Sequence, residues 1–175
     1  FFFILLTTSF SQQPKTFLIN GVFPITGDYP VGEDHSIAAQ IAIDDIKSQS
    51  WWPKSWDLQL ITTDSECMDE IAMGRVVDIV MENEKELIAY VGCLCPKIAE
   101  QVSIVSEYYN VPVISSGATS LQLSSRSEFP TFSRVSPTDR YQNEMIVSLC
   151  QKYGWEKVAV FYSSQDNIKQ SAIDS

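Results

Sequence analysis

Apolar and polar positions along the chain alternate between two rhythms. Residues 16–25 (TFLINGVFPI) form a near-continuous apolar run, the signature of a strand covered on both faces. Residues 27–32 (GDYPVG) are turn-rich and lead into a segment where Ile37, Ala38, Ile41, Ala42 and Ile46 recur at intervals of three and four. That spacing predicts a helix with those five residues as its buried face. Trp51 and Trp52 precede Pro53, which stops the helix because proline restricts its predecessor and lacks an N–H. A second strand is predicted over residues 56–63. A second helix follows over residues 69–82, with Met73, Val76, Val77 and Val80 facing inward. Residues 87–92 read as a third strand. The next helix aligns Ile98, Val102, Val105 and Tyr109, and residues 111–115 read as a fourth strand. Strands apolar on both faces, alternating with amphipathic helices, predict a parallel α/β sheet, doubly wound and covered on both sides.

The rhythm then breaks. Residues 116–127 are rich in Ser, Gly, Thr and Ala, and residues 129–137 (FPTFSRVSP) read as a short strand closed by proline. A helix over residues 139–153 and a strand over residues 157–162 follow, and the sequence stops in what reads as a further helix. The chain reads as one full lobe and the start of a second, with the crossing near Pro137: residues 14–137 are expected to form the first lobe and 138–175 to begin the next.

Composition narrows the function classes. The 175 residues are 45% hydrophobic and carry 12 basic against 22 acidic side chains, a net charge of -10. This apolar fraction fills a globular core and excludes a disordered or collagen-like chain. The basic residues are scattered singly, so no phosphate-binding stripe exists and a nucleic-acid partner is disfavoured. Residues 1–6 (FFFILL) are apolar and are followed by small and polar residues. They are too short to span a bilayer, and residues 1–13 read as the remnant of a secretory signal peptide. Cys67, Cys93, Cys95 and Cys150 have no paired histidine that would make a zinc site. In a secreted chain they predict at least one long-range disulfide, and Cys93 and Cys95 are too close in sequence to bridge each other.

Ligands of an open parallel sheet sit at the carboxyl ends of its strands. Three loops are predicted to meet there: residues 27–32, 92–97 and 115–120. The last carries Ser115, Ser116, Thr119 and Ser120 around Gly117 and Ala118, a set of hydroxyls and backbone N–H groups suited to a carboxylate or similar anion. Catalysis finds no such support. His35 is the one imidazole, and no nucleophile-elbow, zinc-protease, Walker or dinucleotide glycine pattern occurs. The acidic pairs Asp44 with Asp45 and Asp64 with Glu66 read as solvated surface. No enzyme, metal or cofactor is expected.

Six segments in order carry a resemblance: 21–27 (GVFPITG), 41–46 (IAIDDI), 63–67 (TDSEC), 92–96 (GCLCP), 129–137 (FPTFSRVSP) and 152–158 (KYGWEKV). Together they resemble the extracellular ligand-binding domain shared by class C G-protein-coupled receptors and natriuretic-peptide-type receptors, most closely the GABA-B receptors. The similarity spans residues 16–163. It implies a periplasmic-binding-protein type I-like clamshell, on the extracellular side of a plasma membrane, that closes on an amino-acid-like or unknown small ligand. Family members dimerise through the first lobe, here through helices near residues 71–80 and 98–109, and pass closure to a G protein through a membrane portion. A receptor guanylate cyclase shares the outer fold and remains an alternative, as does a soluble solute-binding protein.

The resemblance also implies site residues. A disulfide joins Cys67 to Cys95, closing a loop worth roughly 3 kcal/mol in the chain-entropy model and leaving Cys93 and Cys150 over. Tyr29 stands where agonist-binding GABA-B subunits place a tryptophan against the ligand. Ser116, Gly117, Ala118 and Thr119 fall in the loop that holds the amino-acid carboxylate, and Thr119 keeps a hydroxyl. Pro96 replaces the serine that supplies a second carboxylate contact, so that contact cannot form. The Cys-Pro pair resembles the GABA-B subunit that does not bind agonist and couples to the G protein.

Overall fold

The computed structural model describes residues 14–159. Five strands form one sheet in the order β2-β1-β3-β4-β5: β1 (Lys15–Phe23), β2 (Trp56–Asp64), β3 (Leu87–Gly92), β4 (Val113–Ser115) and β5 (Phe132–Arg134). Every pairing is parallel. Four helices connect or follow them: α1 (Gly32–Ser48), α2 (Asp69–Glu82), α3 (Pro96–Tyr109) and α4 (Asp139–Tyr153), with a 3-10 turn at Gln122–Ser124. The parallel α/β reading is therefore correct. The signal-peptide reading of residues 1–13 and most of the predicted strand at 157–162 lie outside the described residues; residues 157–159 are irregular.

The main core lies between the sheet and α2 with α3. Leu18 and Val22 of β1, Tyr90 of β3, Val113 of β4 and Phe132 of β5 pack on Ala72, Val76 and Val80 of α2 and on Ile98, Ala99 and Val102 of α3. Of the predicted inward residues of both helices, Val76, Val80, Ile98 and Val102 are in the cluster and Met73, Val105 and Tyr109 are half-buried against it, whereas Val77 is half-buried outside it. Fully burying a residue of this size is worth about 1.5–3 kcal/mol, so this layer dominates stability. One polar strip crosses it: Thr63 Oγ1 donates to Asn20 Oδ1 at 2.8 Å, while Asn20 Nδ2 and the Tyr90 hydroxyl have no hydrogen-bond partner among the described residues.

The opposite face is thinner, and here the periodicity misleads. Helix α1 buries Gly32 and Ile43, with Ser36, Ala39 and Ile46 half-buried. Ile37, Ala38, Ile41 and Ala42, expected to face the sheet, are exposed, Ile41 by 62%. The helix is apolar on two stripes, and the sheet takes the one through Gly32, Ala39 and Ile43. Coverage on both sides is also incomplete: Ile88 and Ile114 are exposed among the described residues. Helix α4 matches its predicted bounds but has no buried residue.

Loop ends are set by local chemistry. Helix α3 ends at Asn110 and α4 at Gly154, both in the left-handed region (φ 53° and 68°), as helix stops commonly are. Gly92 closes β3 at φ 95°, where a Cβ would lie 2.5 Å from the Phe23 ring. Only glycine lets the strand end pass that ring.

Candidate functional site

The loops after β1, β3 and β4 lie side by side at the carboxyl edge, because β1, β3 and β4 are neighbours in the sheet. Asp64, the last residue of β2, organises the first of them. Its Oδ1 accepts the N–H of Ile25 at 2.9 Å, of Thr26 at 3.2 Å and of Glu66 at 3.0 Å, and its Oδ2 accepts the Thr26 hydroxyl. Arg75 of α2 donates to the Asp64 carbonyl and pairs with Glu66 at 3.0 Å. Burial pushes the Asp64 carboxyl upward, and the hydrogen bonds from Thr26, Glu66 and Ile25 outweigh it, holding the group below the usual carboxylate range. The solvated-surface reading of Asp64 and Glu66 is thus corrected. The clue was an aspartate at a strand end followed by a tight turn, where its side chain meets nearby N–H groups. Gly27, at φ 87°, brings the two loops so close that a Cβ would sit 2.9 Å from the Glu66 carbonyl.

From this loop Tyr29 projects with 45% of its surface exposed. No hydrogen bond or ring contact joins it to residues 116–119 among the described residues. His35 is occupied locally, its Nδ1 lying 2.9 Å from the Val31 carbonyl.

Cys67 and Cys95 are bridged, with Cα atoms 5.8 Å apart, within the usual disulfide span. The bridge ties the loop after β2 to the start of α3. Cys93 and Cys150 are free; Cys93 is fully buried, and burial pushes its thiol up to about 12. Pro96 opens α3, where the missing N–H costs nothing, and no side chain caps that helix. Leu94 approaches residue 117, its Cδ2 lying 3.2 Å from where a Gly117 Cβ would be, so the second and third loops meet.

The third loop is held from inside. Ser115 Oγ donates to the Cys93 carbonyl at 3.0 Å and accepts the N–H of Gly117 and Ala118 at 3.2 and 2.9 Å. Two of the backbone N–H groups expected to be open are therefore used. Thr119 is half-buried, and its hydroxyl and N–H have no partner among the described residues. The segment after β4's neighbour runs alongside: Val135 N donates to Ser115 O at 3.1 Å, Ser136 Oγ to Ser116 O, and Asp139 N to Thr119 O at 3.1 Å. Arg134 Nη1 donates to Ala118 O at 3.1 Å and Ser120 O at 2.7 Å, and Nη2 to Ser124 Oγ. Burial works against the Arg134 charge, lowering its pKa, while Asp139 nearby favours it. Sequence reasoning missed Arg134 altogether, since a single arginine in a short strand carries no local signature.

Among the described residues no group of three or more His, Cys, Asp and Glu is placed to hold a metal ion, and no helix is long and apolar enough to cross a membrane. The site offers an aromatic face at Tyr29, a hydroxyl and N–H at Thr119, and an uncapped helix start at Pro96.

Comparison with known proteins adds the family. Residues 35–173 match the model described as "Receptor family ligand binding region". Gamma-aminobutyric acid type B receptor subunit 1 of Mus musculus is 30% identical over 166 residues, covering 91% of this chain and 17% of the relative. Glutamate receptor 3.7 of Arabidopsis thaliana is 28% identical over 163 residues, covering 93% and 17%. Gamma-aminobutyric acid type B receptor subunit 2 of Homo sapiens is 26% identical over 144 residues, covering 80% and 15%. The chain thus spans under a fifth of the length of these relatives. With a parallel sheet of periplasmic-binding-protein type, three loops meeting at its carboxyl edge and a match over most of its length, this chain belongs to the receptor family ligand-binding region.

Proposed function

We propose that this chain is the first lobe, and the beginning of the second, of the extracellular ligand-binding domain of a GABA-B-like G-protein-coupled receptor subunit. The domain signals by closing two lobes on a small ligand, at the extracellular side of the plasma membrane. The observation that carries this reading is the meeting of three loops at the carboxyl edge of a parallel sheet, in a chain of the ligand-binding family. The names of the subunit 1 and subunit 2 relatives support the finer assignment. Binding, not catalysis, is its task. A second subunit docks on α2 and α3, whose outer faces expose Met81, Ile104 and Tyr108.

Pro96 shapes what the site accepts. Its position offers neither hydroxyl nor N–H, so an amino-acid carboxylate loses one charge-assisted contact there. The chain accordingly serves as the partner subunit of a heterodimer, or takes a ligand other than a free amino acid. Isothermal titration of a polypeptide containing both lobes tests this, with no micromolar binding of GABA or glutamate expected. Micromolar binding of either would overturn it.

A further inference from the structure

Five hydrogen bonds zip residues 134–139 onto residues 115–120, and three of them fall on Thr119 and its two neighbours. Its own carbonyl accepts the Asp139 N–H at 3.1 Å. The carbonyls of its two neighbours, Ala118 and Ser120, both accept from one guanidinium nitrogen of Arg134, at 3.1 and 2.7 Å. The second nitrogen reaches Ser124, at the far end of the loop. Ser136 Oγ holds the Ser116 carbonyl. Every carbonyl from Ser115 to Ser120 except that of Gly117 is therefore taken by the segment that leads into α4. Among the described residues the open polar groups of that stretch include the hydroxyl and N–H of Thr119, beside the Gly117 carbonyl and the buried Ser116 Oγ.

This arrangement has a mechanical consequence. One guanidinium nitrogen bonded to the carbonyls on both sides of a residue, with the other arm of the fork anchored on Ser124, restricts the peptide orientation of that residue. The same segment supplies the first residue of α4, Asp139. A rotation of α4 about the 135–138 link is thus transmitted to Thr119 through the Asp139 N–H and the Arg134 fork.

We propose that Arg134 is a positioning residue for the ligand site: it presents the Thr119 hydroxyl and N–H, and couples their position to α4. The proposal rests on the reading of Thr119 as a ligand contact, and its coupling half stands on the hydrogen bonds alone. Arg134 touches no ligand in this account; it acts through the loop.

Hydrogen exchange followed by mass spectrometry on the intact polypeptide tests it, comparing Arg134→Lys and Arg134→Met with the unaltered protein. Lysine has one nitrogen where arginine has a fork, so it cannot hold the two carbonyls and the Ser124 hydroxyl together as arginine does. Removing two charge-assisted bonds from a local segment is expected to speed exchange in residues 116–124 and in the first turn of α4 at least about tenfold, with Met exceeding Lys. Peptides from β1 and α2 are expected to exchange unchanged. Exchange in residues 116–124 equal to that of the unaltered protein overturns the proposal. So does a uniform increase across the domain in both variants, which is what a merely structural role produces. If Arg134→Met fails to fold, Arg134→Lys and Ser124→Ala decide, the latter removing only the outer contact. In the Pro96→Ser variant, saturating GABA or glutamate that leaves the protection of residues 116–120 unchanged overturns Thr119 as a carboxylate contact and leaves the α4 coupling intact.

Discussion

Single side chains decide most of what this site offers. Pro96 sits in the first turn of α3, so Pro96→Ser costs little in helix stability and supplies a hydroxyl and an N–H at the position proposed to contact a carboxylate. Regaining one charge-assisted hydrogen bond predicts a gain of about ten- to a hundredfold in affinity for an amino-acid carboxylate, read by titration of the two-lobe domain. An unchanged affinity would show that the block lies elsewhere. Asp64 makes a pH-dependent contribution. Its folded pKa is depressed, so the stability it supplies is fully present above the unfolded value near 3.9 and is lost as pH falls through the lower folded value. The stability gap between the protein and Asp64→Ala is therefore expected to be widest near neutrality and to close in acid, as followed by urea titration across pH; a gap independent of pH would refute the role of its charge. Tyr90 has a fully buried hydroxyl with no hydrogen-bond partner among the described residues. Tyr90→Phe is accordingly expected to keep stability or raise it by about 1 kcal/mol, and a clear loss in thermal unfolding would reveal a bound water.

At the scale of elements, the helices that meet the core on one stripe were legible and the one that does not was misread. In α2 and α3 the apolar residues concentrate on one face, with Met81, Ile104 and Tyr108 as exceptions, so spacing picks Val76, Val80, Ile98 and Val102. Helix α1 carries isoleucine or alanine on two stripes, and periodicity has no means of choosing between Ile41 and Ile43 without knowing where the sheet lies. The loops show the same division. The Ser and Thr content of residues 115–120 marked a hydroxyl-rich loop, but which hydroxyl turns inward depends on the Cys93 carbonyl and the Arg134 fork, two partners distant in sequence. The disulfide belongs to this scale because it joins elements. Cys67 and Cys95 lie 28 residues apart, and replacing both with serine is predicted to cost about 3 kcal/mol in the chain-entropy model. Chemical denaturation of the double variant checks this. A loss under about 1 kcal/mol would mean that the Asp64 contacts hold the loop after β2 without the bridge.

The whole molecule is lopsided for a reason of handedness. Right-handed crossovers place a helix on one face when the chain moves across the sheet in one direction and on the other face when it moves back. The step from β1 to β2 goes one way; the steps to β3, β4 and β5 all go the other way. Helix α1 is therefore alone on its face, and α2, α3 and the turn at Gln122–Ser124 share the opposite one. No crossover among the described residues is able to cover the outer side of β3 to β5, which explains why Ile114 is 43% exposed. The exposed stripe of α1, through Ile37 and Ile41, lies on this same side. An apolar surface of this kind, on a sheet whose strands are otherwise buried, drives association in water. A polypeptide of residues 14–159 is accordingly expected to bind a hydrophobic dye and to form concentration-dependent oligomers. Combining Ile41→Lys with Ile114→Lys is expected to reduce both signals while leaving the thermal midpoint nearly unchanged, since neither side chain belongs to the core of α2 and α3. A monodisperse monomer without dye binding would show that α4 or the chain around it folds back over this face.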